Sequence, residues 1–265
     1  MDVHAWCKPV TVVLLLCASL LQSGCSVDAT GAEPKLDFAS NFIDLNRRID
    51  EDATAVAYDP QLKLLAVGRD GGKLELWDTG KTDSRIARQA HTVRIDHIAI
   101  GAEDGIVLTS SAGTTVMNLD PEGMPKIWDA RSGKLVVALP GEWYGGPLAA
   151  SPVKGFYLIG NAYELRLYDH HKRVVTADVL KFKGEVSALA ADKRSGLMAL
   201  GTSRGELALL TLDRSGPSPR LRVVSQTSTT QDEVRTDVLA VYLREGGQTL
   251  VSVGWLPKDK RQAVA

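Results

Sequence analysis

Beyond residue 50, apolar and polar positions alternate in short runs. Lys73-Leu74-Glu75-Leu76-Trp77-Asp78 and Glu164-Leu165-Arg166-Leu167-Tyr168-Asp169 put every second side chain on one face, the pattern of a strand with one buried side. Ahead of each lies an apolar run ending in a small residue, Leu64-Leu65-Ala66-Val67-Gly68 or Phe156-Tyr157-Leu158-Ile159-Gly160. Ahead of that lies a shorter strand, Thr54-Ala55-Val56-Ala57-Tyr58 or Leu148-Ala149-Ala150. The same order returns in Val186-Ser187-Ala188-Leu189-Ala190, Leu197-Met198-Ala199-Leu200-Gly201 and Glu206-Leu207-Ala208-Leu209-Leu210. A longer copy begins near Ile95 and ends at Ile127-Trp128-Asp129. Gly and Asp between the runs fit hairpin turns. No repeat shows the 3.6-residue period of an amphipathic helix, so the chain reads as all-β.

Aligned on the alternating strand, Trp77, Trp128, Tyr168 and Leu210 share one slot, at intervals of about 40–50 residues. Four-stranded units of about 40 residues ending in Trp-Asp resemble those of WD-repeat β-propellers, and the resemblance runs over residues 36–265. Trp77-Asp78 and Trp128-Asp129 carry it best, with Tyr168-Asp169 in the corresponding place. Thr79-Gly80-Lys81 and Arg131-Ser132-Gly133-Lys134-Leu135 follow as turns into the outer strand. His91 lies where the family often has a Gly-His pair, with Ala90 replacing the glycine. In the family, that histidine, a turn aspartate and the strand tryptophan can form a buried polar network. Here Asp70 and Trp77 fall in one unit and His91 and Trp128 in another, so no unit holds the complete set.

The resemblance implies a β-propeller of four-stranded antiparallel blades, four complete and one partial. The fifth unit starts at Val238-Leu239-Ala240-Val241-Tyr242 and continues through Thr249-Leu250-Val251-Ser252-Val253-Gly254; its third strand is only starting at Ala263-Val264-Ala265. In the family an N-terminal segment often supplies an outer strand of the last blade, and residues 38–45 are the candidate here. Two readings stay open: a truncated product of a longer gene, or a small, irregular propeller.

The first residues read differently. The apolar run Val10-Thr11-Val12-Val13-Leu14-Leu15-Leu16-Cys17-Ala18-Ser19-Leu20-Leu21 is shorter than the roughly 20 residues that span a bilayer and has the length of a signal-peptide core. Leu21-Gln22-Ser23-Gly24-Cys25 resembles the lipobox of bacterial lipoproteins, although Gln22 stands where an aliphatic residue is preferred. The competing cleavage site follows Ala29. Cys7, Cys17 and Cys25 are the only cysteines, so the domain has no disulfide framework, and Cys25 is the candidate for lipidation. Ser26 after the cysteine implies, by resemblance, the outer membrane. The expected organisation is a signal peptide over 1–24, an anchor cysteine and flexible tether over 25–35, and the propeller over 36–265.

Composition narrows the function. Of 265 residues 44% are hydrophobic, and 31 basic residues balance 32 acidic ones to a net charge of −1, so no basic stripe points to nucleic acid. His170 and His171 read as exposed turn residues whose neighbouring side chains diverge. His91 and His97 lie too far apart along a strand to share a metal. No zinc spacing, nucleophile elbow or phosphate-cradling loop occurs, so no catalytic residue, metal or cofactor is assigned. Loops between blades, and those between the second and third strands, share one face of such a fold. That mapping puts Arg69, Tyr163 and Arg204 on equivalent hairpin tips and Trp143 and Tyr144 on a link between units, residue types enriched at binding hot spots. The expected function is a non-catalytic, membrane-tethered protein-binding scaffold facing the periplasm or the cell exterior. The alternative is an exported propeller enzyme, lactonase-like or quinone-dependent, with its site partly in missing blades.

Overall fold

The computed structural model describes residues 52–81, 85–111, 124–139, 145–216, 218–229, 237–256 and 261–264. Cys25 with the expected signal and tether, residues 38–45, Trp143 and Tyr144 all lie outside them. The described strands follow the repeat. β1 (Ala53–Asp59), β2 (Leu64–Arg69), β3 (Lys73–Asp78) and β4 (Arg85–Gln89) form the first sheet; β5 (His97–Gly101), β6 (Ile106–Ser110), β7 (Lys126–Asp129) and β8 (Leu135–Ala138) the second. The third holds β9 (Leu148–Ala150), β10 (Phe156–Asn161), β11 (Glu164–Asp169) and β12 (Val174–Lys181); the fourth, β13 (Val186–Asp192), β14 (Leu197–Thr202), β15 (Glu206–Asp213) and β16 (Arg220–Ser228). β17 (Asp237–Arg244), β18 (Thr249–Leu256) and β19 (Arg261–Val264) make the fifth.

Every sheet is an antiparallel meander in chain order. The first strand of each packs against the first strand of the next, and β4, β8, β12 and β16 form the exposed outer rim. This radial stack is a β-propeller with four complete blades and one partial blade. The partial blade goes further than expected. Its third strand covers Arg261–Val264 and pairs with β18 from Leu256↔Arg261 to Val253↔Val264. A strand of four residues offers little period to read from sequence, but the formed edge of β18 supplies its pairing partner.

The stacking explains the sequence pattern. A middle strand touches neighbours on both faces, so it is a continuous apolar run. In β6, Val107 joins Leu74, Leu76 and Ile95 between the first and second sheets, whereas Ile106 and Leu108 join Tyr157, Ile159 and Tyr168 between the second and third. Burying a Leu or Ile fully contributes about 1.5–3 kcal/mol each, and Leu65, Leu74, Leu108, Leu158 and Ile159 are fully buried. The small residue one before the end of the second strand lets the next blade approach. A Cβ on Gly68 would sit 2.7 Å from Ile95, and one on Gly201 would sit 2.4 Å from Val238. Next to each glycine the first strand bulges and turns a hydroxyl outward. Thr54 Oγ1 donates to the Ile95 carbonyl at 2.6 Å, and Ser187 Oγ to the Val238 carbonyl at 2.5 Å. Each bond ties one blade to the following one.

Candidate functional site

The shared aromatic slot is real in register: Trp77 pairs with Leu65, Trp128 with Val107, Tyr168 with Tyr157 and Leu210 with Met198. The aspartates that follow cap the turn to the outer strand. Asp78 accepts the Gly80 N–H at 2.9 Å, Asp129 the Ser132 N–H at 2.7 Å and Asp169 the Lys172 N–H at 3.0 Å. The hydrogen bond from Lys81 holds the Asp78 carboxyl below its usual range, and the Ser132 hydroxyl does the same for Asp129.

In the second blade His91 and Trp128, which the sequence placed in one unit without a complete set of network partners, are joined through a third side chain. Trp128 Nε1 donates to Thr109 Oγ1 at 2.9 Å, and His91 Nε2 lies 2.8 Å from the same oxygen, all three side chains being buried. The hub is Thr109, a residue the sequence reading passed over. By register its counterparts are Val67, Ile159 and Leu200, so only this blade places a hydroxyl there.

Arg69 is not a surface anchor. It ends β2, following Gly68 as Thr202 follows Gly201, and so lies two positions short of the tip that Arg204 occupies. Its side chain is only 12% exposed, and Nη2 meets buried Glu75 at 2.7 Å; Lys73 and Arg85 reach the same carboxylate at 3.1 and 3.2 Å. Burial alone would raise the Glu75 pKa, but hydrogen bonds from Arg69 and Lys73 and the charges of Arg69 and Arg85 outweigh it and hold the carboxyl below its usual range.

His170 is also more enclosed than a turn histidine. Asp104, from the turn after β5, crosses to the third blade and accepts the Tyr157 hydroxyl at 2.5 Å and the Gly155 N–H at 2.9 Å. Burial raises the Tyr157 pKa, so the phenol remains a donor. His170 packs edge-on against Tyr157 and tilted against Tyr168, both at 6.2 Å between centroids. Among the described residues, neither Tyr168 Oη nor His170 Nδ1 finds a hydrogen-bond partner. His171 lies 6.3 Å from His170 at the exposed end of the cluster.

Tyr163 and Arg204 do come together with one link. The segment joining β12 to β13 runs between the two turns that carry them. On one side the Phe182 N–H donates to the Tyr163 carbonyl at 2.8 Å and the Val186 N–H to the Ala162 carbonyl at 2.6 Å. On the other, the Ser203 N–H donates to the Glu185 carbonyl at 2.8 Å and the Glu185 N–H to Ser203 Oγ at 3.0 Å. Beneath the link sits the buried carboxylate of Glu206, at the start of β15. Its Oε2 accepts the N–H groups of Lys183 and Gly184 at 2.8 and 2.9 Å, and Gln226 donates to Oε1 at 3.2 Å. Gly184 has no room for a side chain: a Cβ would lie 2.7 Å from Thr202 Oγ1 and 2.8 Å from the Arg204 nitrogen.

On this rigid ridge Tyr163 is 46% exposed, Lys183, Glu185 and Arg204 are exposed, and Phe182 is half-buried. Lys183, Phe182 and Glu206 were missed from sequence, where they look like ordinary loop and strand-start residues. At the flank, Glu164 pairs with Arg166 at 2.8 Å and Lys181 at 3.4 Å.

No protein-family model and no curated protein matches the sequence. Among solved structures 1434 chains share the fold, so the likeness itself selects no activity. One, a chain of the crystal structure of the mitotic checkpoint complex, superposes with a TM-score of 0.59 at 14% identity, over 79% of this chain and 61% of its own length. This chain thus spans about three fifths of that relative, and at such identity the shared property is the fold, a propeller of WD-like blades.

Proposed function

We propose that the protein is a non-catalytic scaffold that binds another protein through the ridge of Tyr163, Phe182, Lys183 and Arg204. The observation that carries this reading is the backbone support under the ridge. Glu206, Thr202, Ser203 and Gly184 hold two turns and a link as one unit. A surface already ordered loses little entropy on association, and Tyr and Arg are the side chains that most often dominate binding energy. Trp143 and Tyr144, which lie outside the described residues, fall in the sequence between β8 and β9, as the ridge link falls between β12 and β13, and remain candidate binding residues on that ground alone. The tether is a lipid on Cys25, which follows Ser23-Gly24 and the apolar run and has no later cysteine to compete with it. Ser26 directs the anchored protein to the outer membrane, facing the periplasm.

A photo-crosslinking amino acid in place of Tyr163 tests the face in cells. The expected result is a discrete crosslinked protein species, absent when the same group replaces Val224 on the outer rim. Equal products from both positions, or none from Tyr163, would remove the ridge as the binding face. Palmitate labelling of wild type, lost in Cys25→Ser, tests the anchor separately.

A further inference from the structure

We propose that the seam between the outer strands of the third and fourth blades binds an extended segment of a partner polypeptide, with a small residue facing Thr176 and an aliphatic one against Val174 and Pro219. This site is separate from the ridge. The ridge is built from a link between blades and the turns between second and third strands, whereas the seam lies at the turns into the outer strands, at the other end of the same sheets.

The same seam can be compared in two blade pairs. Between the first and second blades it is shut. The turn into β8 packs directly on β4: a Cβ on Gly133 would lie 2.6 Å from Ile86, and Arg88 of β4 donates to the carbonyls of Ser132 and Gly133 at 3.1 and 3.2 Å. What fills this place is main chain carrying a small residue. Between the third and fourth blades the place is open. In β4, Ile86 pairs with Leu76, one residue before the aromatic slot. Opposite the counterpart Leu167, β12 carries three residues instead of one, because Arg166 pairs with Val179 and Tyr168 with Val175. Such a bulge bends its strand and re-aims side chains. A groove of about 630 Å³ results, with Val174, Thr176 and Ala177 on one wall and Ser218, Pro219 and Arg220 on the other. That volume lies in the range of roughly 300–1,000 Å³ typical of binding sites. Asp178, from the bulge, accepts the Leu221 N–H at 3.1 Å and ties the two walls together.

The walls define what fits. Thr176 Oγ1 is buried and finds no hydrogen-bond partner among the described residues, so it offers a hydroxyl to a group from outside. Val174 is exposed and Pro219 half-buried, which gives an apolar contact beside that hydroxyl. β12 ends the strand order of its sheet, so its outer edge presents backbone groups to the groove. An extended chain meets all three features: its backbone aligns with the strand edge, a carbonyl accepts from Thr176, and an aliphatic side chain covers Val174 and Pro219. It would take the place that Ser132 and Gly133 take against β4.

The test pans phage-displayed random decapeptides on the full chain and measures enriched sequences, fluorescein-labelled, by anisotropy. Enriched peptides are expected to bind about tenfold or more weakly to Ala177→Trp and to Ser218→Trp, which plug the groove from opposite, exposed walls. Thr176→Val should weaken binding about three- to tenfold, and Tyr163→Ala should leave it unchanged. Melting temperatures measured in parallel should match the parent, and the second plugging variant serves if the first fails to fold. No enriched peptide, or equal affinity for the parent and a folded plugging variant, would overturn the proposal. Binding lost in Tyr163→Ala but kept in the plugged variants would overturn it as well, and would assign the peptides to the ridge.

Discussion

At the scale of single residues, the most informative is Thr109. Its hydroxyl accepts from Trp128 and contacts His91 at the centre of the second blade. Replacing it with valine keeps the volume but leaves the indole N–H and the imidazole facing a methyl group. Each buried, unsatisfied polar group costs about 1–3 kcal/mol, so Thr109→Val should lower unfolding free energy by about 2–4 kcal/mol in urea melts, and Thr109→Ser by much less. Alignment could not single it out, because the repeats carry Val67, Ile159 and Leu200 in its place. The aromatic slot was legible from Trp77, Trp128 and Tyr168, but not its differing burial: Trp128 is 5% exposed, whereas Trp77 is only half-buried, with the Arg85 guanidinium 5.3 Å from its ring centre.

His170 and His97 make a second residue-scale prediction. Burial lowers the pKa of both. Around His170, Asp104 and Asp169 pull the other way while His171 and Arg173 add to the lowering; around His97, Asp96 opposes and Arg94 adds. A folded-state pKa below the unfolded value of about 6.5 means that the unfolded chain takes up the proton first as pH falls. The stability these neutral imidazoles carry is therefore complete above about pH 6.5 and is lost as pH drops below it. Melting between about pH 7.5 and about pH 5 should show that loss. In His170→Gln the loss should be smaller; an identical pH profile would mean that His170 is not sealed against Tyr157 and Tyr168.

At the scale of elements, the alternation of Lys73 to Asp78 and Glu164 to Asp169 announced strands, and Gly68, Gly160 and Gly201 marked where the second strands stop. What the pattern could not convey is how links are held. Glu206 begins β15 after a glycine turn, just as Lys73 begins β3 after Gly72, yet Glu206 is buried and Lys73 is part-exposed. The difference lies in the link above it, whose amides point down at the carboxylate. Glu206→Leu should leave the Lys183 and Gly184 N–H groups without their acceptor. That predicts a loss of about 2–4 kcal/mol and faster hydrogen exchange at those two amides, with amides of the β10–β11 pair unchanged. Arg69 shows the converse: its residue type and nearness to a turn suggested a surface anchor, but its place just after Gly68 turns it toward Glu75. The third strand of the fifth blade was expected only to start at Ala263, two residues late, because four residues give no period to place its beginning, while β18 was already there to pair with it from Arg261.

At the scale of the whole molecule, consecutive blades share apolar cores and cross-blade hydrogen bonds, donated by Thr54 and Ser187 and accepted by Asp104. Tyr163, Phe182, Lys183 and Arg204 are held on that frame by the third and fourth blades together, so the proposed binding surface belongs to an interface between repeats and not to one repeat. This is why self-similarity in the sequence could bring Tyr163 and Arg204 to one face while passing over Lys183 between them. The central claim is that this ridge engages a protein partner. It is tested most directly by crosslinking from position 163 in cells carrying Lys183→Glu and Arg204→Glu, with melting temperature measured in parallel. The account expects the crosslinked species to disappear while the melting temperature stays that of the parent. A crosslink of undiminished intensity at the same melting temperature would contradict it.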